Sequence, residues 1–482
     1  MSESPEHVDV LVIGAGLSGI GAAAQLSRER PGTSYLILEA RAVSGGTWDL
    51  FRYPGVRSDS DMFTLGYRFK PWRDEKSLAD GPSILEYVRE TAREYDVDRH
   101  IRYDHRVRSA SWDSEQARWT VTAEHAGETV EVTCGLLWSC SGYYDYDHGY
   151  EPDFEGVERF QGQVVHPQHW PADLDHAGKR VVVIGSGATA VTLVPAMAET
   201  AAHVTMLQRS PTYIVSVPST DKVAVGLRKA LPDKAAYVAA RWKNVLFATG
   251  TYQLSQRRPR LVRHAIRRGT VKALPEGYDV DTHFRPRYDP WDQRMCLVPD
   301  GDLFKAISAG RADVVTDTID TFTERGVRLA SGTELEADIV VTATGLQLKP
   351  FGGIELVVDG AQVKIPETMS YKALMLTGVP NLVFTVGYTN ASWTLKADLV
   401  AEYVCRLLAY LEEHGYRSVV PVRDPSVHEE PFMDFSAGYV VRALDRLPKQ
   451  GDREPWRLRQ NYLHDLRTIR RGDLDDGCLR FR

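Results

Sequence analysis

The chain has 482 residues, of which 43% are hydrophobic and 26% are charged. That balance is typical of a globular protein, and the length indicates more than one domain. The net charge of −7 gives no electrostatic argument for nucleic acid as the main partner. The five cysteines include no Cys-x-x-Cys pair, so the sequence predicts neither a disulfide framework nor a metal site.

The start of the chain bears on its location. Residues 1–6 lack the basic and apolar regions of a signal peptide. The apolar run at 8–17 is too short for a membrane span and ends in glycines, so we expect a buried strand there. Together with reduced thiols, these features predict a cytoplasmic protein without a transmembrane span.

A Gly-x-Gly-x-x-Gly motif follows this first predicted strand and precedes helix-like sequence. Gly14 permits a tight turn, Gly16 lets the backbone approach a pyrophosphate, and Gly19 lets the helix pack close to the strand. Glu39 closes the second strand, where a carboxylate accepts hydrogen bonds from a ribose 2′-OH and repels a 2′-phosphate. The motif therefore predicts a site for FAD or NAD and excludes NADP.

A second turn of the same kind follows the apolar strand that begins at Arg180. Alanine takes the third glycine position, which the motif allows. The next strand ends in Arg209 and Ser210, which can bind a phosphate dianion, so the second site is predicted to bind NADP. An ordinary surface arginine at the end of a strand is the alternative for Arg209. The residues expected at this turn are Gly185, Ser186, Gly187, Ala188, Thr189, Ala190 and Val191.

Two such units predict an α/β fold with two doubly wound Rossmann-like dinucleotide-binding domains and a helical insertion. The expected bounds are 1–152 for the first part of the FAD-binding domain, 153–335 for the NADPH-binding domain, with its insertion at about 215–290, and 336–482 for the return part and tail. Within the insertion, residues 220–272 read as helical and carry a run of arginines from 257 to 268. A solvated helix face explains this run, and weak attraction to an anionic membrane surface is the alternative. Further strands are predicted at 314–316, 339–342 and 382–386, and a long amphipathic helix at 394–414.

The two predicted sites restrict the class of reaction that the protein can catalyse. Hydride passes from a nicotinamide to a flavin, and the reduced flavin then needs an acceptor. Cys134 and Cys140 lie on a different strand and do not form the redox pair of a disulfide reductase, so we interpret them as buried apolar residues. Oxygen is therefore the predicted acceptor.

Two longer patterns carry a family resemblance. Phe160-x-Gly162-x-x-x-His166-x-x-x-Trp170-Pro171 resembles the fingerprint of type I Baeyer–Villiger monooxygenases, and residues 45–59 are similar to the second signature of that family. The resemblance implies that reduced flavin and O₂ form a C4a-peroxide that inserts one oxygen atom next to a ketone carbonyl, with oxidation of thioethers and thioamides at the same site. It also implies that His166 and His169 have a structural role in the linker.

The resemblance also implies site residues. It places Asp59 and Arg294 beside the flavin as the catalytic pair, with the guanidinium stabilising the peroxide anion. It implies FAD contacts from Ser18, Thr47, Trp48, Asp49, Leu50, Asp59 and Val107, and nicotinamide contacts from Arg57 and Ser58.

One position departs from the family pattern, because Gln293 stands where many relatives have the lysine that helps to bind the 2′-phosphate. This puts the strength of the NADPH preference in question, but not its direction. Two other functions stay open: a flavin monooxygenase that acts only on sulfur or nitrogen, and an NADPH flavin reductase that does not oxygenate. The expected partners are a small ketone or sulfur compound and O₂, without nucleic acid.

Overall fold

The computed structural model describes residues 5–433 and 437–482. Residues 1–4, which belong to the segment without signal-peptide features, lie outside these ranges. The fold has two sheets with parallel cores, each flanked by helices, as the two Gly-rich turns predicted. The second sheet is formed by a segment inserted between strands of the first.

The first sheet is built around the strand Glu6–Ile13, which pairs in parallel with Tyr35–Leu38 on one side and with Glu128–Ser139 on the other. All four residues of Tyr35–Leu38 are buried, as expected for a strand covered on both faces. Within the described ranges this sheet has the spatial order Ala361–Gln362, Glu355–Val358, Arg106–Asp113, Arg118–His125, Glu128–Ser139, Glu6–Ile13, Tyr35–Leu38 and Ile101–Arg102, and Leu382–Phe384 also pairs with Glu128–Ser139.

The second sheet is parallel throughout and has the strand Arg180–Ile184 at its centre. Its spatial order is Ala312–Thr316, His203–Gln208, Arg180–Ile184, Ile339–Thr342 and Gln163–Val165. Sheet membership thus continues to Thr342, beyond the boundary expected at 335. We therefore propose that the return crossing begins after Thr342.

The chain crosses between the two sheets twice, and the crossings lie side by side. Tyr144–Gly149 on the way out pairs in antiparallel fashion with Leu346–Leu348 on the way back. Tyr150 donates its backbone N–H to the Gly345 carbonyl at 3.1 Å. Both connections therefore form one short ribbon.

The α-helices cover the sheets and form the insertion. The long helix Trp393–His414 packs on Leu17–Glu29 against the first sheet, and its start is one residue before the predicted one. The expected helical block at 220–272 consists of Lys222–Ala230, Asp233–Arg257 and Pro259–Ala273. The remaining α-helices are Thr47–Leu50, Met62–Leu65, Gly81–Glu94, Ala188–Met197, Val280–His283, Asp302–Ser308, Gly438–Val441 and Tyr462–Thr468.

Short strand pairs complete the described structure. They connect loops around the two sheets and hold the C-terminal segment in place. They are Ile214–Val217 with Cys296–Pro299, Ile319–Phe322 with Gly326–Leu329 and Glu334–Glu336, Ser370–Tyr371 with Met375–Leu376, Val419–Pro421 with Leu479–Phe481, and Glu429–Pro431 with Lys449–Gly451.

A buried ion pair holds the insertion against the first domain. Arg241, on the helix Asp233–Arg257, donates to Asp398 on Trp393–His414 at 2.8 Å, and both side chains are less than one-tenth exposed. The same guanidinium donates to the carbonyl oxygens of Phe63 and Gly66. A buried charge needs such partners, so this contact gives the insertion one defined orientation on the first domain.

Candidate functional site

One cavity of about 1060 Å³ extends between the carboxyl ends of the two sheets. Both Gly-rich turns open into it, as parallel sheets favour for their ligand sites. The sequence-predicted residues that line it are Gly14, Gly16, Ser18, Glu39, Thr47, Trp48, Arg57, Ser58, Asp59, Val107, Gly185, Ser186, Gly187, Ala188, Thr189, Val191, Arg209, Ser210 and Arg294. Gly19, Asp49, Leu50 and Ala190 do not line it.

The first Gly-rich turn leaves no room for a side chain at Gly14 or at Gly19. Gly14 has φ +100°, and a Cβ on it would lie 2.8 Å from the Cys140 carbonyl oxygen. A Cβ on Gly19 would lie 1.8 Å from the Gly14 oxygen, so this glycine serves the contact between strand and helix. The helix Leu17–Glu29 therefore presents the N–H groups of its first turn to the cavity, where they can bind a pyrophosphate.

Glu39 lies at the cavity end of the second strand and is 6% exposed. One carboxylate oxygen accepts the backbone N–H of Ala15 at 2.7 Å, and the other accepts that of Arg41 at 2.9 Å. Burial raises the pKa of this carboxyl group. The carboxylate is thus held in place beside the first Gly-rich turn.

The segment 45–51 forms one wall of the first site. Thr47 shares a hydrogen bond of 2.9 Å with the hydroxyl of Tyr146 across the cavity. Asp49 is 3% exposed and accepts from Arg41 at 2.6 Å and from Arg89 at 2.9 Å. The arginines hold Asp49 outside the cavity lining, so its place in the structure favours a role in shaping the wall.

The second Gly-rich turn is equally tight at its first glycine. A Cβ on Gly185 would lie 2.3 Å from the Ala343 carbonyl oxygen, and Ala190 is fully buried in the helix Ala188–Met197. The Ser186 hydroxyl contacts that of Thr212 at 2.8 Å and donates to the Ser210 carbonyl at 3.2 Å. This contact holds the end of the adjacent strand next to the turn.

Arg209 is an exposed guanidinium at the mouth of the second site. Within residues 5–433 and 437–482 it has no ion pair or hydrogen-bond partner. A cation that the protein itself does not neutralise is available to a phosphate group of a ligand. Gln293 lines the same cavity near Arg294.

Asp59 and Arg294 form a bidentate ion pair where the two halves of the cavity meet. The guanidinium Nε donates to one carboxylate oxygen at 2.6 Å, and an Nη donates to the other at 2.7 Å. The Asp59 carboxylate holds the pKa of Arg294 well above its usual range. The side chain of Arg294 is 35% exposed towards the cavity, so a fixed and permanent positive charge faces the site.

The neighbours of this pair set its geometry. Arg57 binds Asp302 at 2.5 Å, and the Ser58 hydroxyl donates to the Ser60 carbonyl at 2.8 Å. Trp291 has φ +75° and contacts Tyr252 of the insertion edge to face, with ring centroids 5.9 Å apart. The loop that carries Arg294 is thereby packed against the insertion.

The residues of the predicted linker fingerprint have structural surroundings. His166 accepts the Gln168 N–H at 3.2 Å, and its ring lies where a Cβ of Gly149 would be. Burial lowers the pKa of His166, which favours a neutral ring. A ring nitrogen of His169 lies 3.1 Å from the Asp147 carbonyl oxygen. Both histidines thus bind the crossing ribbon and its neighbours.

Comparison with known proteins identifies the family. A model described as flavin-binding monooxygenase-like matches residues 77–375, and an NAD(P)-binding Rossmann-like model matches residues 12–72. The FAD-containing monooxygenase EthA of Mycobacterium tuberculosis is 59% identical over 478 residues, which cover 99% of this chain and 98% of that relative. This chain belongs to the flavin-binding monooxygenase-like family.

Solved structures show that the monooxygenase also shares its fold with more distant proteins. An oxidised steroid monooxygenase bound to NADP superimposes with a TM-score of 0.73 at 24% identity, over 86% of this chain and 88% of that one. OTEMO in complex with FAD and NADP gives a TM-score of 0.72 at 23% identity, over 87% and 88%. These matches confirm the predicted fold of two dinucleotide-binding domains.

Several cavity residues of the monooxygenase were not predicted from the sequence. Tyr143 and Tyr144 lie beside Arg294, and Trp393 donates its indole N–H to the Ser18 hydroxyl at 2.7 Å while its ring stacks on Tyr143. The crowding of tyrosines at 143, 144 and 146 was the available signal. Trp393 gave none, since its approach to Ser18 depends on packing between distant segments.

The cysteines and helices of the monooxygenase bear on two other interpretations, a redox-active cysteine pair and a membrane-spanning helix. Each of the five cysteines is a free thiol, and Cys134 and Cys140 are buried. Burial raises the pKa of Cys140 to about 12, so it has little thiolate character at neutral pH. Among the described residues, no helix combines the length and the apolar character needed to cross a bilayer.

Proposed function

We propose that this monooxygenase uses FAD and NADPH to insert one oxygen atom of O₂ next to the carbonyl of a ketone. A ketone, O₂, NADPH and a proton give an ester, water and NADP⁺. The Asp59–Arg294 pair carries the proposal, because it holds the charged guanidinium of Arg294 in one orientation between two dinucleotide sites. The fingerprint through His166 supports a Baeyer–Villiger reaction over other flavin oxygenations.

The first site fits FAD. Gly14, Gly16 and the start of the helix Leu17–Glu29 leave bare N–H groups for a pyrophosphate, and a Cβ on Gly46 would lie 2.9 Å from the Gly16 Cα. Glu39 would bind the ribose hydroxyls, and its negative charge opposes a 2′-phosphate. The names of EthA, an FAD-containing monooxygenase, and of the FAD complex of OTEMO agree with this assignment.

The second site fits NADPH. Arg209 and Ser210 would bind the 2′-phosphate, and the turn at Gly185 would bind the pyrophosphate. Gln293 provides no charge there, so Arg209 would be the main source of discrimination against NADH. NADP is present in the steroid monooxygenase and OTEMO structures of the same fold.

Bound flavin, once reduced by the nicotinamide, supplies activated oxygen for the reaction. Arg294 stabilises the negative charge that develops on oxygen during attack on the carbonyl. A guanidinium is protonated at neutral pH in any surroundings, and the Asp59 carboxylate raises its pKa further. The bidentate contact orients the guanidinium before substrate arrives, so little reorganisation is needed. Tyr143 and Tyr144 line the cavity beside this charge.

Sulfur compounds form the second proposed substrate class. A thioether or thioamide accepts an electrophilic oxygen atom, and that transfer leaves no negatively charged carbonyl adduct for an arginine to stabilise. We therefore expect ketone oxidation to depend more strongly on Arg294 than sulfur oxidation does.

The test uses Arg294→Ala and Asp59→Asn with a methyl ketone. Removal of a group that stabilises developing negative charge lowers turnover by roughly 10²- to 10³-fold. We expect that loss in ester formation for Arg294→Ala, with NADPH oxidation continuing as hydrogen peroxide release. Asp59→Asn should lie between this variant and the wild type, because the guanidinium is kept but less firmly held. Ester and peroxide are measured together against NADPH consumed.

Arg311→Ala provides the control, since Arg311 is an arginine remote from the cavity lining, and its ester formation should equal that of the wild type. Normal ester formation by Arg294→Ala would refute its assigned role. A wild-type enzyme that makes sulfoxides but no ester from any ketone in a chain-length series would favour the heteroatom-only function. Peroxide release with no oxygenated product would favour the reductase.

The proposed location is the cytoplasm, with peripheral contact at the cytoplasmic face of a membrane. The five unpaired thiols support a reducing compartment. The basic helices of the insertion support the peripheral contact.

A further inference from the structure

The helical insertion has a surface that neither proposed cofactor site uses. Of the fourteen large hydrophobic side chains that are exposed in the described ranges, nine lie between residues 223 and 271. Scattered exposed hydrophobic residues are normal, but a local concentration marks a binding surface. These nine are Val223, Leu231, Val238, Trp242, Leu246, Phe247, Leu254, Leu261 and Val271.

Five of these side chains belong to one helix, Asp233–Arg257, and we call them the insertion face: Val238, Trp242, Leu246, Phe247 and Leu254. Val238, Trp242 and Leu246 follow each other at intervals of four residues, so they lie along one side. Phe247 is 71% exposed and Leu246 is 56% exposed. The opposite side of the helix holds Arg241 and contacts the first domain. The insertion face is thus the outer side of a firmly docked helix.

Charge in this region is the reverse of that in the whole chain. Residues 222–272 contain thirteen Lys and Arg residues and one Asp, whereas the whole chain has a net charge of −7. Arg263 and Arg267 pair with Asp289 and Asp281. Arg257 and Arg260 are exposed and have no ion pair in residues 5–433 and 437–482. The insertion therefore carries positive charge that the protein does not neutralise.

We propose that the insertion binds the surface of an anionic lipid bilayer through the insertion face and its arginines. Apolar side chains enter the boundary between headgroups and acyl chains, while arginines contact the phosphates. The positive charge disfavours a second copy of the chain as the occupant, because two such surfaces repel each other. A nucleic acid would use the arginines but gives no reason for five exposed apolar side chains on one helix.

The geometry connects this surface with the cavity. Asn244, on the same helix, donates to Asp61 at 2.8 Å, and Tyr252 contacts Trp291. Asp61 and Trp291 flank Asp59 and Arg294 in sequence. The bilayer would lie one helix thickness from the loops that carry this pair, which suits a substrate that partitions into lipid.

The experiment measures co-sedimentation of the full-length holoenzyme with vesicles, without turnover, so its outcome is independent of the proposed reaction. We expect binding to phosphatidylglycerol–phosphatidylcholine vesicles and much weaker binding to pure phosphatidylcholine. Arg257→Gln/Arg260→Gln should weaken binding by about fivefold per arginine. Leu246→Gln/Phe247→Gln should weaken it by about tenfold without a change in charge. High salt should remove the difference between the two vesicle types.

Matched controls keep the proposal open to refutation. Arg471→Gln/Arg480→Gln removes two exposed arginines elsewhere, and Val422→Gln removes an exposed apolar side chain elsewhere. Both should bind as the wild type does, and all variants should keep wild-type thermal unfolding. The proposal is overturned if the wild type stays in solution with anionic vesicles, or if control and insertion variants lose binding equally. It is also overturned if binding to duplex DNA exceeds binding to lipid, or if the insertion face forms a dimer that Leu246→Gln/Phe247→Gln dissociates.

Discussion

At the scale of single residues, two carboxylates near the cavity have opposite surroundings. Asp59 binds one guanidinium with both oxygens. Asp49 forms ion pairs with three arginines, Arg41, Arg52 and Arg89. The first arrangement orients one charge towards the site, and the second uses charge to hold a wall together. Their sequence neighbourhood is the same signature segment, so only the packing separates the two roles.

Arg209 gives a prediction about cofactor selectivity. Loss of a charge-assisted hydrogen bond to a phosphate dianion costs about 1.5–3 kcal/mol. We therefore expect Arg209→Ala to raise the KM for NADPH by roughly 10- to 150-fold and to leave the KM for NADH unchanged. Steady-state kinetics with both nucleotides measures this difference.

Arg325→Ala is the control for Arg209→Ala, because Arg325 is an exposed arginine paired with Glu336. It should leave both KM values at the wild-type level. Equal increases of KM for NADPH and NADH in Arg209→Ala would mean that Arg209 does not contact the 2′-phosphate.

Asp147 gives a prediction about acid stability. Its hydrogen bonds with Arg106, at 2.7 and 2.9 Å, lower its pKa to about 2. A carboxyl whose pKa is lower in the folded chain than in the unfolded chain, where it is about 4, stabilises the fold above pH 4 and loses this effect as the pH falls towards 2. Because Asp147 is 37% exposed, solvent screening limits the gain to about 1 kcal/mol.

Urea unfolding of wild type and Asp147→Asn measures this effect. The variant should be less stable by about 1 kcal/mol at pH 7, and the difference should shrink as the pH falls from about 4 towards 2. Asp145→Asn tests whether any neighbouring aspartate gives the same result. A difference that is constant with pH would contradict the role given to the ion pair.

At the scale of elements, the helix Asp233–Arg257 contacts both loops that carry the Asp59–Arg294 ion pair. Asn244 donates to Asp61, whose carboxylate also accepts the Thr64 N–H at the start of the helix Met62–Leu65. Burial raises the pKa of Asp61, which shows how strongly this group depends on its donors. Tyr252 packs on Trp291 from the other end of the helix. One element thus positions Asp59 and Arg294 together.

Asn244→Ala is predicted to loosen this arrangement. Removal of a donor from a buried carboxylate costs about 1–3 kcal/mol in the free energy of unfolding. Because Asp61 is two residues from Asp59, the ratio of ester to NADPH consumed should fall as well. Denaturant unfolding and the product ratio measure the two effects.

Gln253→Ala serves as the comparison, since Gln253 lies on the same helix and its side chain has no hydrogen bond in the described part of the chain. Its stability and product ratio should match the wild type. If both variants behave alike, the contact with Asp61 has no special part in positioning the pair.

At the scale of the whole molecule, the sequence predicts those features of the fold that depend on short segments of the chain. The Gly-rich turns at Gly14 and Gly185 are local, because glycine and the following helix supply most of what the turn needs. The parallel cores of the two sheets follow from these units. The end of the second sheet at Thr342 was harder to predict, since Ile339–Thr342 is an apolar strand that could join either sheet.

The site was less predictable, because contacts between distant segments define it. The sequence around Asp59 does not predict its contact with Arg294. Only the family resemblance predicted that the two residues lie together. The approach of Trp393 to Ser18 and the burial of Arg241 against Asp398 had no sequence signal at all. Each depends on how whole elements dock, which hydrophobic periodicity does not encode.

The paired crossings at Tyr144–Gly149 and Leu346–Leu348 show that the second sheet is formed by one continuous insertion. The segment that forms the second sheet leaves and re-enters at one point, with Tyr150 hydrogen-bonded to Gly345. Every strand of the first sheet lies outside residues 150–345. Joining Gly149 to Leu346 through a short turn would excise residues 150–345, which form the second sheet, and leave the first sheet with all its strand pairings. In the order of its chain, the enzyme is therefore one domain with a second, continuous domain inserted into it.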